Sequence, residues 1–274
     1  MPQIRNSENE ALLAGTFTTR NEFMQDGARL VSAVLATNRQ MGGQLVEGWL
    51  ADSRQAHGEA SPVWTTANIS AADYGAASLP DEYGGPYVSL DGSSEYYSIA
   101  DAAWQEAGTS QIFTWRWVLI TSLAADQTII GKWDATGGNW RSWKLWYSTT
   151  AGAFRFTTNA TGLVAADVHV TSTYAEAIST WYFVGGFFKA STQMSVYVGA
   201  ATDATLTVDD LLVGVSASVF DGGAALTMGA SGDPTHYLGG RIGVGNTRFV
   251  TGAATYIDAY AARLFHLTRQ FYMT

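Results

Sequence analysis

The 274-residue chain contains no cysteine. Disulfide bonds and cysteine-ligated zinc are therefore excluded, while the absence fits any redox compartment. Charge is scarce too: Asp, Glu, Lys and Arg make up 14% of the residues, three of them lysines, and the formal net charge is −9. A field of that sign repels phosphate backbones and anionic lipid, which argues against nucleic-acid or membrane-surface partners and for neutral or cation-bridged ones. No stretch reaches transmembrane length, so no membrane insertion is expected. The opening "MPQIRNSENEALLAG" lacks the basic segment and apolar run of a signal peptide, so an extracellular role would need another way out of the cell. Without secretion the sequons at Asn68 and Asn159 carry no meaning.

What is abundant points to strands. Hydrophobic residues reach 47%, with 29 Gly, 10 Trp, 13 Tyr and 12 Phe, the composition of many short strands joined by tight turns. Residues 1–44 stand apart, with Phe17 and Phe23 as their aromatics and four basic residues against four acidic ones. Within them "GARLVSAVLATNRQMGG" reads as one short helix stopped by Gly42-Gly43. A segment so small cannot bury a core alone, so it is expected to be an arm, partly helical, docking on the main domain or on neighbouring subunits.

From residue 45 to 274 a single all-β domain is expected. "IFTWRWVLI" sets Phe113, Trp115, Trp117 and Leu119 on one face and Thr114 and Arg116 on the other. "MSVYVGA" sets Met194, Val196 and Val198 against Ser195 and Tyr197. "WYFVGGFF" is apolar on both faces, the pattern of a central strand whose two glycines mark a bend or a close backbone approach. Trp117 and Trp181 are expected in the sandwich core. Strand spacing of roughly 8 to 15 residues, with no long amphipathic helix between, favours an antiparallel β-sandwich.

"YVSLDGSSEYYSIADA", residues 87–102, reads as a hairpin about an Asp-Gly turn, with Val88 and Leu90 inward before it and Tyr97 and Ile99 after it. It is followed in order by "FTWRWVLI", "TIIGKWD", "NWRSWKLW", "TWYFVGGFF", "STQMSVYVGA", "LTMGASG" and "YIDAYAARLF". The series resembles the laminin-G-like, concanavalin A-like jelly-roll domains over about residues 60–268. The resemblance implies that "YIDAYAARLF" is the closing strand and that "GGRIGVGNTRFVTGAAT", residues 239–255, is an insertion before it. Residues 1–44 have no counterpart in the family pattern.

The same broad fold houses glycan hydrolases, whose resemblance would imply paired glutamates on one strand. Retaining chemistry needs carboxylates about 5–5.5 Å apart and inverting chemistry about 6.5–9.5 Å. No Glu follows Glu176, no Glu-x-Asp-x-x-Glu occurs, and the adjacent Asp209 and Asp210 point to opposite faces of a strand. No catalytic residue is assigned. His57, His169, His236 and His266 have no ligand spacing, and no Gly-x-Ser-x-Gly supports a nucleophile.

The densest feature is "KWDATGGNWRSWKLW", residues 132–146. Indole faces beside amide and carboxylate groups suit sugar rings, which offer apolar C–H faces and hydroxyl edges. Packing in the sandwich is expected to claim Trp133 and Trp143. Trp140, at the turn, is the exposed aromatic, with Asn139, Asp134 and Arg141 as its polar companions. Many related domains hold calcium, so Asp91, Asp134, Asp221, Asp233 and Asp258 are candidate oxygen donors for a Ca2+ ion, although aspartate in such turns commonly serves the turn itself.

The combination leads to an expectation of a non-enzymatic structural or adhesion protein of a virus particle, a bacteriophage capsid-decorating or tail-associated subunit. It would dock through its arm on other virion proteins, form a homo-oligomer, and bind a host-surface or environmental glycan. A free lectin-like polysaccharide-binding module is the alternative, and an atypical glycan hydrolase a third.

Overall fold

The computed structural model describes residues 45–49, 64–70, 73, 87–136, 140–250, 254–269 and 272. The arm and its expected helix lie outside the described residues. Fourteen described strands follow one another in the chain: β1 Leu45–Trp49, β2 Thr65–Ala67, β3 Val88–Asp91, β4 Tyr96–Ile99, β5 Gln111–Ile120, β6 Gln127–Asp134 and β7 Trp140–Ser148. They continue as β8 Ala153–Gly162, β9 Asp167–Thr171, β10 Trp181–Lys189, β11 Gln193–Ala200, β12 Thr207–Leu211, β13 Leu226–Met228 and β14 Gly239–Val250, and a helix, α1, spans Ala254–Thr268. The strands pair antiparallel into two sheets. One runs β1-β14-β5-β10-β11-β12, with β3 also on β14, and the other runs β2-β4-β13-β6-β7-β8-β9. The chain is thus an all-β, two-sheet antiparallel sandwich of the concanavalin A-like kind.

Val88, Leu90, Tyr97 and Ile99 are buried as their alternation predicts. They do not form a hairpin, however. β3 pairs with β14 in the first sheet, whereas β4 pairs with β2 and β13 in the second. Asp91 makes this corner. Its carboxylate accepts hydrogen bonds from the backbone N–H groups of Ser93 and Ser94, each at 2.8 Å, and of Glu95 at 3.1 Å, and from the Ser93 and Ser94 hydroxyls. Burial works against its ionisation, yet these donors hold Asp91 well below the ordinary carboxylate range.

Two cores result. Between the sheets lie Ile112, Val118 and Ile120 of β5, Val184 and Phe188 of β10, Met194, Val196 and Val198 of β11, and Trp143, Leu145, Phe154 and Phe156 from the second sheet. Phe113, Trp115 and Trp117 of β5 and Trp181, Phe183 and Phe187 of β10 face away from the second sheet. They pack with Ile257, Tyr260, Ala261, Leu264 and Phe265 of α1 and with Tyr272. Trp117 and Trp181 are therefore core residues, as expected, but of the layer beneath the helix and not of the space between the sheets. β10 is apolar on both faces because both are covered.

The segment expected to be the closing strand is this helix. Its buried positions, 257, 260, 261, 264, 265, 267 and 268, follow the helical spacing of three and four, whereas a strand would need every second residue. The closing strand is β14, the stretch expected to be an insertion. It pairs with β5 on one side and with β3 and β1 on the other. Its glycines dilute the apolar pattern, and Gly243 shows why one is there: a Cβ at that position would stand 2.2 Å from the Tyr272 hydroxyl, which accepts the Val244 N–H at 2.8 Å. The Trp117 indole N–H donates to the Thr268 hydroxyl at 2.7 Å, its ring stacks on Tyr272 at 4.8 Å, and the Tyr197 hydroxyl donates to Asp258 at 2.8 Å, fixing α1 to the sheet.

Gly186, one of the paired glycines of β10, answers the close-approach reading, since a Cβ there would lie 2.4 Å from the Phe156 ring of the opposite sheet. Gly186→Ala is accordingly expected to cost roughly 1–3 kcal/mol by overpacking, and Trp117→Ala roughly 3–5 kcal/mol by leaving a cavity under α1. Urea unfolding measures both. A change below about 1 kcal/mol in either variant would contradict the packing described.

Candidate functional site

β6 and β7 form a hairpin whose turn end carries the residues singled out in the sequence. Asp134 ends β6 and pairs with Trp140, the first residue of β7. The Asp134 carboxylate accepts the Thr136 N–H at 2.8 Å and its hydroxyl at 3.2 Å, which shapes the turn. The Arg141 guanidinium donates to the Gly162 carbonyl at 3.2 Å and to that of Ala135 at 3.3 Å, tying the turn to β8. Asn139 lies outside the described residues. Three of the four candidates are thus gathered, and two of them, Asp134 and Arg141, bond to backbone groups of the turn and its neighbour.

Trp140 is 38% exposed, unlike Trp143, which is 1% exposed. Its indole lies over the loop before β13: a Cβ at Gly223 would sit 3.6 Å from the ring, and one at Gly222 would sit 3.2 Å from the Trp140 Cα. The ring is therefore propped on a side-chain-free ledge. Trp133 is buried as expected, but outside the space between the sheets. Its ring is 4.7 Å from the Lys144 ammonium, and its carbonyl accepts the Gly232 N–H at 2.6 Å.

Behind the ledge is a group that the sequence reading passed over. Lys132 shares the inward face of β6 with Ile130, and its side chain is fully buried. Its ammonium donates to Asp101 at 2.6 Å, to Glu106 at 2.5 Å and to the Gly222 carbonyl. The cation so fixes the segment after β4 and the ledge under Trp140 to β6. Burial, and then a hydrogen bond that the protonated Glu106 donates to the neighbouring Asp221 carboxylate, push Glu106 up to about 7, with Lys132 opposing. A lysine at an inward position of an apolar strand is the available signal, because a buried ammonium demands acidic partners.

The aspartates considered for calcium are dispersed. Asp91 serves the corner between β3 and β4, Asp134 the turn, and Asp258 Tyr197, while Asp233 accepts the Ser231 and Thr235 hydroxyls at 2.5 and 2.9 Å. Asp221 neighbours Glu106, whose carboxylate accepts from the Lys132 ammonium. Among the described residues, no set of three or more His, Asp or Glu side chains is arranged to hold a metal ion. Asp209 and Asp210 do point apart: Asp209 accepts the Thr173 hydroxyl, and Asp210 that of Ser195.

No protein-family model matches the chain, and no curated protein matches its sequence. Solved structures do. The chain is similar to the binding domain of Paraclostridial Mosquitocidal Protein 1, with a TM-score of 0.56 and 8% identity over 81% of this chain and 52% of that one. It is also similar to the binding domain of botulinum neurotoxin DC in complex with SialylT, with a TM-score of 0.56 and 11% identity over 81% and 51% of the two chains. A third is a botulinum neurotoxin type C structure described by the dependence of its cell entry on two ganglioside molecules, with a TM-score of 0.54 and 10% identity over 81% and 51%. At these identities the likeness is one of fold. The chain spans about half the length of the structures it matches.

The raised Glu106 has a thermodynamic consequence. A carboxyl whose folded pKa lies above its unfolded one contributes stability that is fully present below the unfolded value of about 4.5 and is lost as pH rises through about 7. Glu106→Gln, neutral throughout, is expected to flatten the dependence of Tm on pH between 5 and 8. An unchanged slope would remove Glu106 as its source.

Proposed function

We propose that the chain is a non-enzymatic carbohydrate-binding module of an adhesion protein, with Trp140 as its principal sugar contact. The supporting observation is the exposed Trp140 indole on the Gly222-Gly223 ledge, held in place by the bonds of Arg141 and by the Lys132 ion cluster behind it. A flat apolar ring on a rigid rim is what the C–H face of a pyranose stacks on, and nearby backbone groups meet its hydroxyls. The described carboxylates nearest the ledge are engaged by Lys132 and by each other, so they serve architecture in this reading. The fold shared with toxin binding domains, one of them in complex with SialylT, agrees with a recognition role.

The finer part of the proposal is the setting: a virion subunit, homo-oligomeric, with residues 1–44 docking on its neighbours. It rests on the sequence alone, and detection of the chain in purified particles tests it.

Trp140→Ala is expected to weaken binding of the best ligand from a glycan array by roughly 1–3 kcal/mol, the worth of one large apolar contact, while leaving Tm almost unchanged. Equal affinities by titration calorimetry would remove Trp140 from the site. A large loss of stability would return it to a packing role.

A further inference from the structure

The face of the second sheet turned away from the first carries a separate arrangement that owes nothing to Trp140. Lys144 of β7 lies opposite Gly131 of β6, where a Cβ would stand 2.6 Å from the Lys144 Cβ. With that space free, Lys144 packs down until it is 5% exposed. Its ammonium stands 3.8 Å from the centroid of the Trp146 ring and 4.7 Å from that of Trp133, and it makes no hydrogen bond to a described residue. Two indole faces stabilise the charge but accept no N–H bond in the plane where oxygen would.

The surrounding carboxylates are spoken for. Asp126 accepts the N–H and hydroxyl of Thr149 at 2.8 and 2.7 Å, Asp167 the Asn159 amide at 2.6 Å, and Asp233 the hydroxyls of Ser231 and Thr235. On β8, Arg155 pairs directly with Trp146. It gives its Nε to the Thr171 hydroxyl at 2.9 Å, and its guanidinium carbon lies 6.0 Å from the Trp146 ring, with no hydrogen bond from its terminal nitrogens to a described residue. The Trp146 indole is itself locked, donating to Thr157 at 2.8 Å. Two cations whose donors are unmet among the described residues thus flank one fixed aromatic ring.

The geometry points to a second binding site, made by Lys144, Trp146 and Arg155, whose ligand is a carboxylate-bearing sugar unit of an acidic polysaccharide. A carboxylate takes charge-assisted hydrogen bonds from these donors and neutralises their charge, which a hydroxyl does not, while the sugar ring lies along the indole. The site also has a distinctive pH dependence. Burial lowers Lys144 to about 8, with Asp126, Asp167 and Asp233 opposing and Arg141 assisting. His169 and His236, which face it, are pulled below their ordinary value chiefly by burial, so they are neutral before Lys144 titrates. Between pH 7 and 9 the group that loses charge here is Lys144.

The test is titration of the full chain with uronate- and sialate-containing oligosaccharides, with neutral counterparts of equal length as controls. An acidic member is expected to bind, to lose about tenfold or more in affinity with Lys144→Met and with Arg155→Gln, and to weaken as pH rises from 7 to 9. Trp140→Ala should leave it untouched, which separates this site from the one above. The partly exposed Arg155 keeps the test valid should Lys144→Met disturb folding, and Tm reports that directly. The proposal is overturned if no acidic member binds, if neutral members bind equally well, or if binding survives Arg155→Gln with its pH profile flat.

Discussion

Everything in this molecule depends on the covering of the first sheet by α1. β5 and β10 turn a row of large aromatics away from the other sheet, a surface that could not face water without inviting association. The Trp117 indole proton goes to Thr268, whose own proton goes to the Leu264 carbonyl, so the helix is attached to the sheet through its last turn. Tyr272 then closes the layer beneath Trp117 and Trp181. With that face occupied, the loop end of the sandwich and the outward face of the second sheet are what remains for a ligand. Both candidate sites lie there.

Strand faces were legible because alternation is a local signal. The inward sets of β3, β4 and β11, and the doubly apolar β10, needed no knowledge of partners. Pairing is not local, and there the reading failed: an Asp-Gly step between two alternating segments serves a hairpin or a corner between sheets equally well, and it is the bonds of the Asp91 carboxylate to the serines after it that make this one a corner. The row from Phe113 to Leu119 was correctly placed on one face, but its cover could not be named, since the family pattern supplies no helix at that place. Glycines hid β14 for a related reason, for they are the residues that let Tyr272 and the neighbouring backbone come close, and they erase the periodicity by which a strand is recognised.

The candidate site was half visible. Trp140 stood out because turn-forming residues precede it, and an aromatic at a turn has nothing above it to bury against. The lysines did not stand out, although the chain has three and places two of them within adjacent strands of the second sheet. Lys132 points between the sheets and is neutralised by carboxylates. Lys144 points outward and is received by indoles. Residue type and spacing are the same in kind for both, and the difference lies in which distant loops return to meet them, the segment after β4 in one case and that before β14 in the other.

The pairing of β5 with β14 bears on how the chain is made. The Trp115 indole bonds to Asn246, 131 residues further on, and Thr114 meets Thr247 across 133. Contacts so remote in sequence form late, after a large loop-closure cost, and sheets built on them fold slowly. A nascent chain that has emerged past β10 already displays its full aromatic row, with neither the strand that borders it nor the helix that roofs it. During that interval it is a substrate for chaperones and a hazard to its neighbours. Synthesis of the helix is therefore the event that turns a sticky intermediate into a finished domain.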